Sequence, residues 1–134
     1  MYFHNKHDES HRKAFKYYMK AAQLGYVPAY TRVGMCYQYA IGVSYDIDEA
    51  ISYYKRGMEL GDKAAYTMMA YLFQIGEGFN QSNYIAYQLH KHANTVHSLW
   101  NLELLASYFP DVVVEPNLDL EALKRIIDES CCLL

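Results

Sequence analysis

The sequence predicts an all-α protein: a right-handed superhelix of two-helix repeats, about seven helices in all. Three observations predict it. First, residue types return every 36 positions: Ala29-Tyr30-Thr31 as Ala65-Tyr66-Thr67, Gly42 as Gly78, and Ala14, Tyr17, Tyr18, Leu24 and Gly25 as Ala50, Tyr53, Tyr54, Leu60 and Gly61. Second, the apolar and small residues inside each period recur at helical spacing. Third, helix punctuation keeps the same period, with Ser10, Asp46 and Ser82 ahead of one helix pattern and Gly25 and Gly61 behind it. A repeat of this length is one helix pair that buries its apolar faces by stacking on its neighbours.

The elements follow in order. Residues 4–9 register as a loop, and Ser10 caps a helix over 10–24 that ends at Gly25. In 27–39 the stripe is Ala29, Tyr30, Val33, Gly34 and Tyr37, one face of a helix. The loop Ala40-Ile41-Gly42-Val43 turns the chain, its glycine supplying positive φ, and Val43 tucks beneath it. Asp46 opens 46–60 as an N-cap, with Glu49 completing a capping box. Here Ala50, Ile51, Tyr53, Tyr54, Gly57 and Met58 form the buried face, and Gly61 stops the helix in the C′ position. The second copy repeats this as 63–75, a loop at Gly76-Glu77-Gly78-Phe79, and 82–95 capped by Ser82. A third copy is worn: Ala70 returns as Ala106, Phe73 as Phe109 and Ala86 as Ala122. It predicts helices over 98–109 and 118–130, with the segment 110–116 in place of the glycine loop.

The domain organisation is one repeat domain over 1–134: a half repeat at 10–25, full repeats at 27–61 and 63–97, and a divergent terminal repeat at 98–130. The expected core includes Ala29, Val33, Tyr37, Ala50, Tyr53, Met69, Phe73, Ala86, Leu105 and Phe109. Small residues (Gly34, Ala50, Gly57) belong where helix backbones approach closely. The 15 tyrosines are explained as rings packed between helices, their hydroxyls reaching the rim. The helix that should precede 10–24 is missing. Either the chain is a fragment of a longer array, or the exposed face of 10–24 is covered: by residues 1–8 folding back with Tyr2 and Phe3 as plugs, by self-association with another copy, or by another protein.

Composition bounds the function. In 134 residues, 52% are hydrophobic and 20% charged, with a net charge of −3. That is a globular balance without the basic footprint of a nucleic-acid-binding chain. Three cysteines, two of them adjacent near the C-terminus, make no disulfide framework and point to a reducing compartment. With no apolar leader in MYFHNKHDES, the expected location is cytoplasmic.

Few residues suggest chemistry. His4, His7 and His11 have a spacing that suits zinc, but they fall in the expected N-terminal loop. His90, His92 and His97 are read as a solvated helix, and Cys36 as a buried, inert thiol. No catalytic residues, metal ligands or cofactor are expected.

The 36-residue repeat described above resembles the Sel-one-like repeat, a relative of the tetratricopeptide repeat. The residues that carry the resemblance are Ala29, Val33, Gly34, Tyr37, Ala40, Gly42, Val43, Asp46, Ala50, Tyr53, Tyr54, Gly57, Met58 and Gly61, with Ala14, Tyr17, Tyr18, Ala21, Ala22 and Gly25 in the half repeat. Departures are Val33 for Leu, Ala40 for Gly, and Gly57-Met58 for Ala-Ala. The match is strong over 14–93 and weak over 98–130.

The resemblance implies a protein-interaction scaffold or adaptor that binds a peptide or helix in a concave groove lined by the first helix of each repeat. By similarity to tetratricopeptide geometry, the inward positions are Thr31, Met35 and Gln38, then Thr67, Tyr71 and Gln74, then Glu103 and Ser107, with Trp100 one turn earlier. Trp100 has a second placement, as a plug between 82–95 and 98–109, and this is the favoured one. Two alternatives stand beside the adaptor. Cys131-Cys132-Leu133-Leu134 formally fits a prenylation signal on Cys131, which would make a weakly membrane-associated adaptor. Some cysteine-rich bacterial relatives are linked to β-lactam hydrolysis, but those carry paired cysteines in each repeat and this chain has only Cys36 inside its repeats.

Overall fold

The computed structural model describes residues 2–131, and the side chains of 9–130. The described residues form eight helices and no strand: α1 (Tyr2–Gln23), α2 (Val27–Tyr39), α3 (Ile47–Glu59), α4 (Lys63–Ile75), α5 (Asn83–Ala93), α6 (Val96–Tyr108), α7 (Asp111–Val114) and α8 (Leu120–Cys131). They fall into two compact units, Met1–Asp62 and Lys63–Leu134.

In the first unit, α1 packs on α2 and α2 on α3. Pro28 in the first turn of α2 fits a helix start, where its missing N–H costs nothing. Asp46 caps α3 by accepting from the Glu49 N–H at 3.1 Å, while its own N–H donates back to the Tyr37 carbonyl at 3.0 Å and closes the loop. Both glycine stops are Schellman turns. After α1, Gly25 N–H donates to Ala22 O and Tyr26 N–H to Ala21 O; after α3, Gly61 N–H donates to Met58 O and Asp62 N–H to Gly57 O. Ala29, Val33, Cys36, Ala50, Ile51, Tyr54 and Met58 are the core. Each of its larger side chains contributes roughly 1.5–3 kcal/mol by leaving water. Tyrosines do fill the space between helices: Tyr37 stacks on Tyr53 at 5.8 Å, Phe15 meets Tyr37 edge-on at 5.5 Å, and the Tyr54 hydroxyl donates to Gln38 Oε1 at 2.6 Å.

In the second unit, α4 packs most extensively on α5, and α6, α7 and α8 each pack on α5. Ser82 caps α5 through the Ile85 N–H at 3.1 Å and closes its loop onto the Phe73 carbonyl at 2.9 Å. Phe79 is buried beneath that loop and stacks on Phe73 at 4.2 Å, whereas Val43, at the same place in the first unit, is half-buried.

Four expectations need correction. Ser10 is not a cap: α1 starts at Tyr2, so residues 2–9 lengthen the helix instead of forming a loop or folding back over it. The side chains of Tyr2, Phe3, His4 and His7 lie outside the described residues. The count is eight helices, because α7 forms inside the 110–116 segment. The third copy starts early: α6 begins 33 residues after α4, while the bonds Thr31–Asp62 and Gln38–Tyr54 return at a step of 36 as Thr67–Ser98 and Gln74–His90. Phe109 accordingly lies just past the end of α6, 47% exposed and outside the core. Tyr37 and Tyr53 are half-buried, while the other residues expected in the core are buried.

Candidate functional site

The shortened third copy explains how the residues of α6 are presented. In the α3–α4 turn, Gly61 takes positive φ and Asp62 precedes the helix. In the α5–α6 turn, Asn94 takes the left-handed conformation (φ 51°) and Thr95 caps α6, accepting from the Ser98 N–H at 3.1 Å. The two turns are equivalent at a step of 33. On that step the buried Ala65, Met68 and Leu72 of α4 fall on the buried Ser98, Asn101 and Leu105 of α6, whereas Met69 and Ala70 fall on half-buried Leu102 and exposed Glu103.

A buried chain of polar groups joins α4, α5 and α6. Asn101 Nδ2 donates to the His97 carbonyl at 2.8 Å and to the Tyr71 hydroxyl at 3.1 Å, which leaves Asn101 Oδ1 to accept from Gln74 Nε2 at 3.1 Å. Gln74 Oε1 then accepts from His90 Nε2–H at 3.0 Å, so His90 Nδ1 accepts from the Ser98 hydroxyl at 2.8 Å. Ser98 Oγ in turn accepts from Thr67 at 2.9 Å, and Thr67 from Thr95 at 2.8 Å. A backbone carbonyl can only accept, so the His97 end sets the direction of every bond. His90 is fully buried, and burial pushes its pKa down from 6.5 to about 4. The ring is therefore neutral at pH 7.

This overturns the reading of His90, His92 and His97 as a solvated helix. His90 is a core residue, His92 is half-buried and donates to the Leu118 carbonyl at 2.9 Å, and His97 is exposed. Sequence reasoning missed His90, Ser98 and Asn101 because most of their side-chain partners lie 8 to 31 residues away. The Asn94-Thr95 pair was the available signal. Cys36 is buried and unpaired with any cysteine, and burial raises its thiol pKa. Among the described residues no group of three His, Cys, Asp or Glu side chains is placed to hold a metal.

The residues expected to line a groove divide by burial. In the first unit Thr31 and Gln38 are buried, Thr31 donating to Asp62 and Gln38 accepting from Tyr54, while Met35 is half-buried. In the second unit Thr67 is buried in the polar chain, and Tyr71 and Gln74 are half-buried members of it. Thr31, Gln38 and Thr67 thus hold the fold together and present no open surface. Glu103, Ser107 and Trp100 are exposed, Trp100 by 68%, so Trp100 is not the plug between α5 and α6. Cys131 ends the backbone of α8, and its side chain lies outside the described residues.

The exposed set sits on one side of α6. Val96 (82% exposed), Leu99, Leu104 and Tyr108 (75%) accompany Trp100. Val96, His97, Leu99, Trp100 and Glu103 line an open concavity of about 370 Å³. The next helix leaves this side bare because the segment ahead of α8 is tied to α5. Tyr84 donates to Pro116 O at 2.6 Å, Lys91 to Asn117, His92 to Leu118 O, and Leu118 N–H donates to Gln88 Oε1 at 3.0 Å. No described helix is long and apolar enough to cross a membrane.

Comparison with known proteins fits this architecture. A Sel1 repeat protein from Oxalobacter formigenes has a solved structure similar to this one: 30% sequence identity, a TM-score of 0.65, and a match over 73% of this chain and 41% of that one. The chain therefore spans less than half the length of that relative. Comparison with curated proteins gives no match. The Sel1 repeat profile, which describes a family that typically mediates protein interactions, matches residues 6–26, 27–62 and 63–93. These matched segments take in the pairs α2–α3 and α4–α5 and most of α1, and the chain belongs to the Sel1 repeat family.

Proposed function

We propose that the chain is a non-catalytic scaffold or adaptor that binds a peptide or helix of another protein. The observation that carries this reading is the bare side of α6, where Trp100, Glu103 and Ser107 stand exposed among apolar neighbours. Soluble proteins rarely leave large contiguous apolar patches in water unless the patch serves an interaction, and tryptophan is enriched where interfaces gain their energy. The family's typical role in protein interactions supports the same reading. The fully buried histidine is out of reach of any substrate, which argues against its serving as a base.

A photo-crosslinking amino acid placed at Ser107, and separately at the exposed Ser52 of α3 as a control, tests the proposal in cells. Discrete protein adducts from position 107 and none from position 52 support it. Equal labelling from both positions, or none from 107, overturns it.

A further inference from the structure

Resting on that scaffold reading, we infer that the bare side of α6 receives an amphipathic α-helix of another protein with a lysine or arginine in the middle of its apolar stripe. Spacing is the first argument. Val96, Leu99, Trp100, Glu103, Leu104 and Tyr108 are all exposed and fall at i, i+3, i+4, i+7, i+8 and i+12. That is a straight stripe roughly 18 Å long at 1.5 Å per residue. A helix laid along it would offer anchors with the same period. The concavity between Val96, Leu99, Trp100 and Glu103 gives one large anchor a seat.

Charge is the second argument, and it selects the occupant. Glu103 is the only Asp, Glu, Lys or Arg in α6, and it stands at the middle of the stripe. Covering it with apolar atoms alone would strand a carboxylate away from water, at a cost of several kcal/mol. A lysine or arginine opposite offsets much of that cost, and its methylene stem covers apolar surface as well.

A second copy of the chain is the competing occupant. A two-fold pairing of this face is isologous. An antiparallel α6 pair would set Glu103 near Glu103 of the other copy, like charge against like. The internal comparison points away from an ordinary repeat partner too. On the 33-residue step Glu103 stands where α4 has the fully buried Ala70, so this face is not shaped for the close helix approach of a standard pair.

The test uses the whole chain and two synthetic helical peptides with the same leucine stripe, one with a central lysine and one with a central glutamate. Trp100 is the only tryptophan, so its emission reports occupation of this face directly. The lysine peptide should shift the emission to the blue and bind at least about tenfold more tightly than the glutamate peptide. In Glu103→Lys, an exposed substitution checked by an unchanged melting temperature, the preference should reverse. Equal binding of both peptides, or an unreversed preference, overturns the charge-reading helix while leaving the scaffold reading to the Ser107 cross-link. No emission change up to about 1 mM of either peptide also overturns the inference. A doubled mass in light scattering that Trp100→Asp restores to monomer overturns it in favour of a second copy.

Discussion

Gly34 of α2 lies directly against the ring of Tyr54 of α3: a Cβ added to Gly34 would stand 2.6 Å from Tyr54 Cε1 and 3.1 Å from the Ala50 carbonyl oxygen. Tyr54 is fully buried and its hydroxyl is held by Gln38, so the ring cannot swing aside without breaking a buried hydrogen bond.

Gly34→Leu should therefore destabilise strongly. Overpacking costs about 1–3 kcal/mol, and loss of the Tyr54–Gln38 bond adds to it. Thermal and urea unfolding measure the loss. An unchanged melting temperature would mean that α2 and α3 do not meet there.

The loop between α2 and α3 predicts substitutions of opposite sign. Ala40 holds φ 55°, a conformation that costs an alanine about 1–2 kcal/mol, so Ala40→Gly should raise stability by up to about 1 kcal/mol after glycine's entropic loss. Two residues on, Gly42 has φ 74° and its missing Cβ would fall on the His11 carbonyl of α1. Gly42→Ala should lower stability by well over 1 kcal/mol, since both strain and a backbone clash oppose it. Paired urea titrations of the two variants check the signs.

Acid should weaken the second unit through His90. Its pKa falls from 6.5 to about 4 on folding, so the unfolded chain binds more protons between those values. Stability is complete above about pH 6.5, declines as the pH falls towards 4, and has lost about 3 kcal/mol below that. Urea midpoints at pH 7 and pH 4.5, compared between the parent and His90→Gln, isolate the effect. The parent should lose about 2–3 kcal/mol more than the variant over that interval.

Cys36 should be silent towards thiol reagents in the folded protein. It is buried, and its raised pKa keeps the reactive thiolate scarce. Peptide mapping after iodoacetamide treatment should find Cys36 modified only when denaturant is present. Modification at the rate of a free thiol under native conditions would contradict the packing of α2.

The helices over 27–60 and 63–75 were legible because their signals are local. A capping aspartate, a Schellman glycine and a stripe of apolar residues act within one or two turns, and the observed bounds match to within a residue. The entry to α6 differs from the expectation because Asn94 takes the positive φ that Gly61 takes after α3, and Thr95 then caps α6 three residues earlier than the period allows. Ser10 kept the period but sits inside α1, where a serine is simply tolerated. The site was less legible than the fold. Thr31, Gln38 and Thr67 look like surface residues in sequence, and only their partners Asp62, Tyr54 and Ser98 explain their burial. Trp100 and Glu103 are in the expected set, but the bare face they share depends on the segment ahead of α8 being tied to α5 over distances no local signal reports.

The polar chain through His90 also determines how acid would be felt. A proton arriving on Nδ1 makes that atom a donor to Ser98 Oγ, so the Ser98 hydroxyl must turn to Thr67 and the Thr67 hydroxyl to the Lys63 carbonyl, with Thr95 still donating to Thr67. Two O–H bonds rotate, no heavy atom has to leave its position, and the Gln74–Asn101 half of the chain keeps its direction. The penalty is then the charge alone, held away from water, and not a broken network. Protonation of this histidine would be a reversible reorientation inside an intact core, visible to spectroscopy of the ring before any helix is lost.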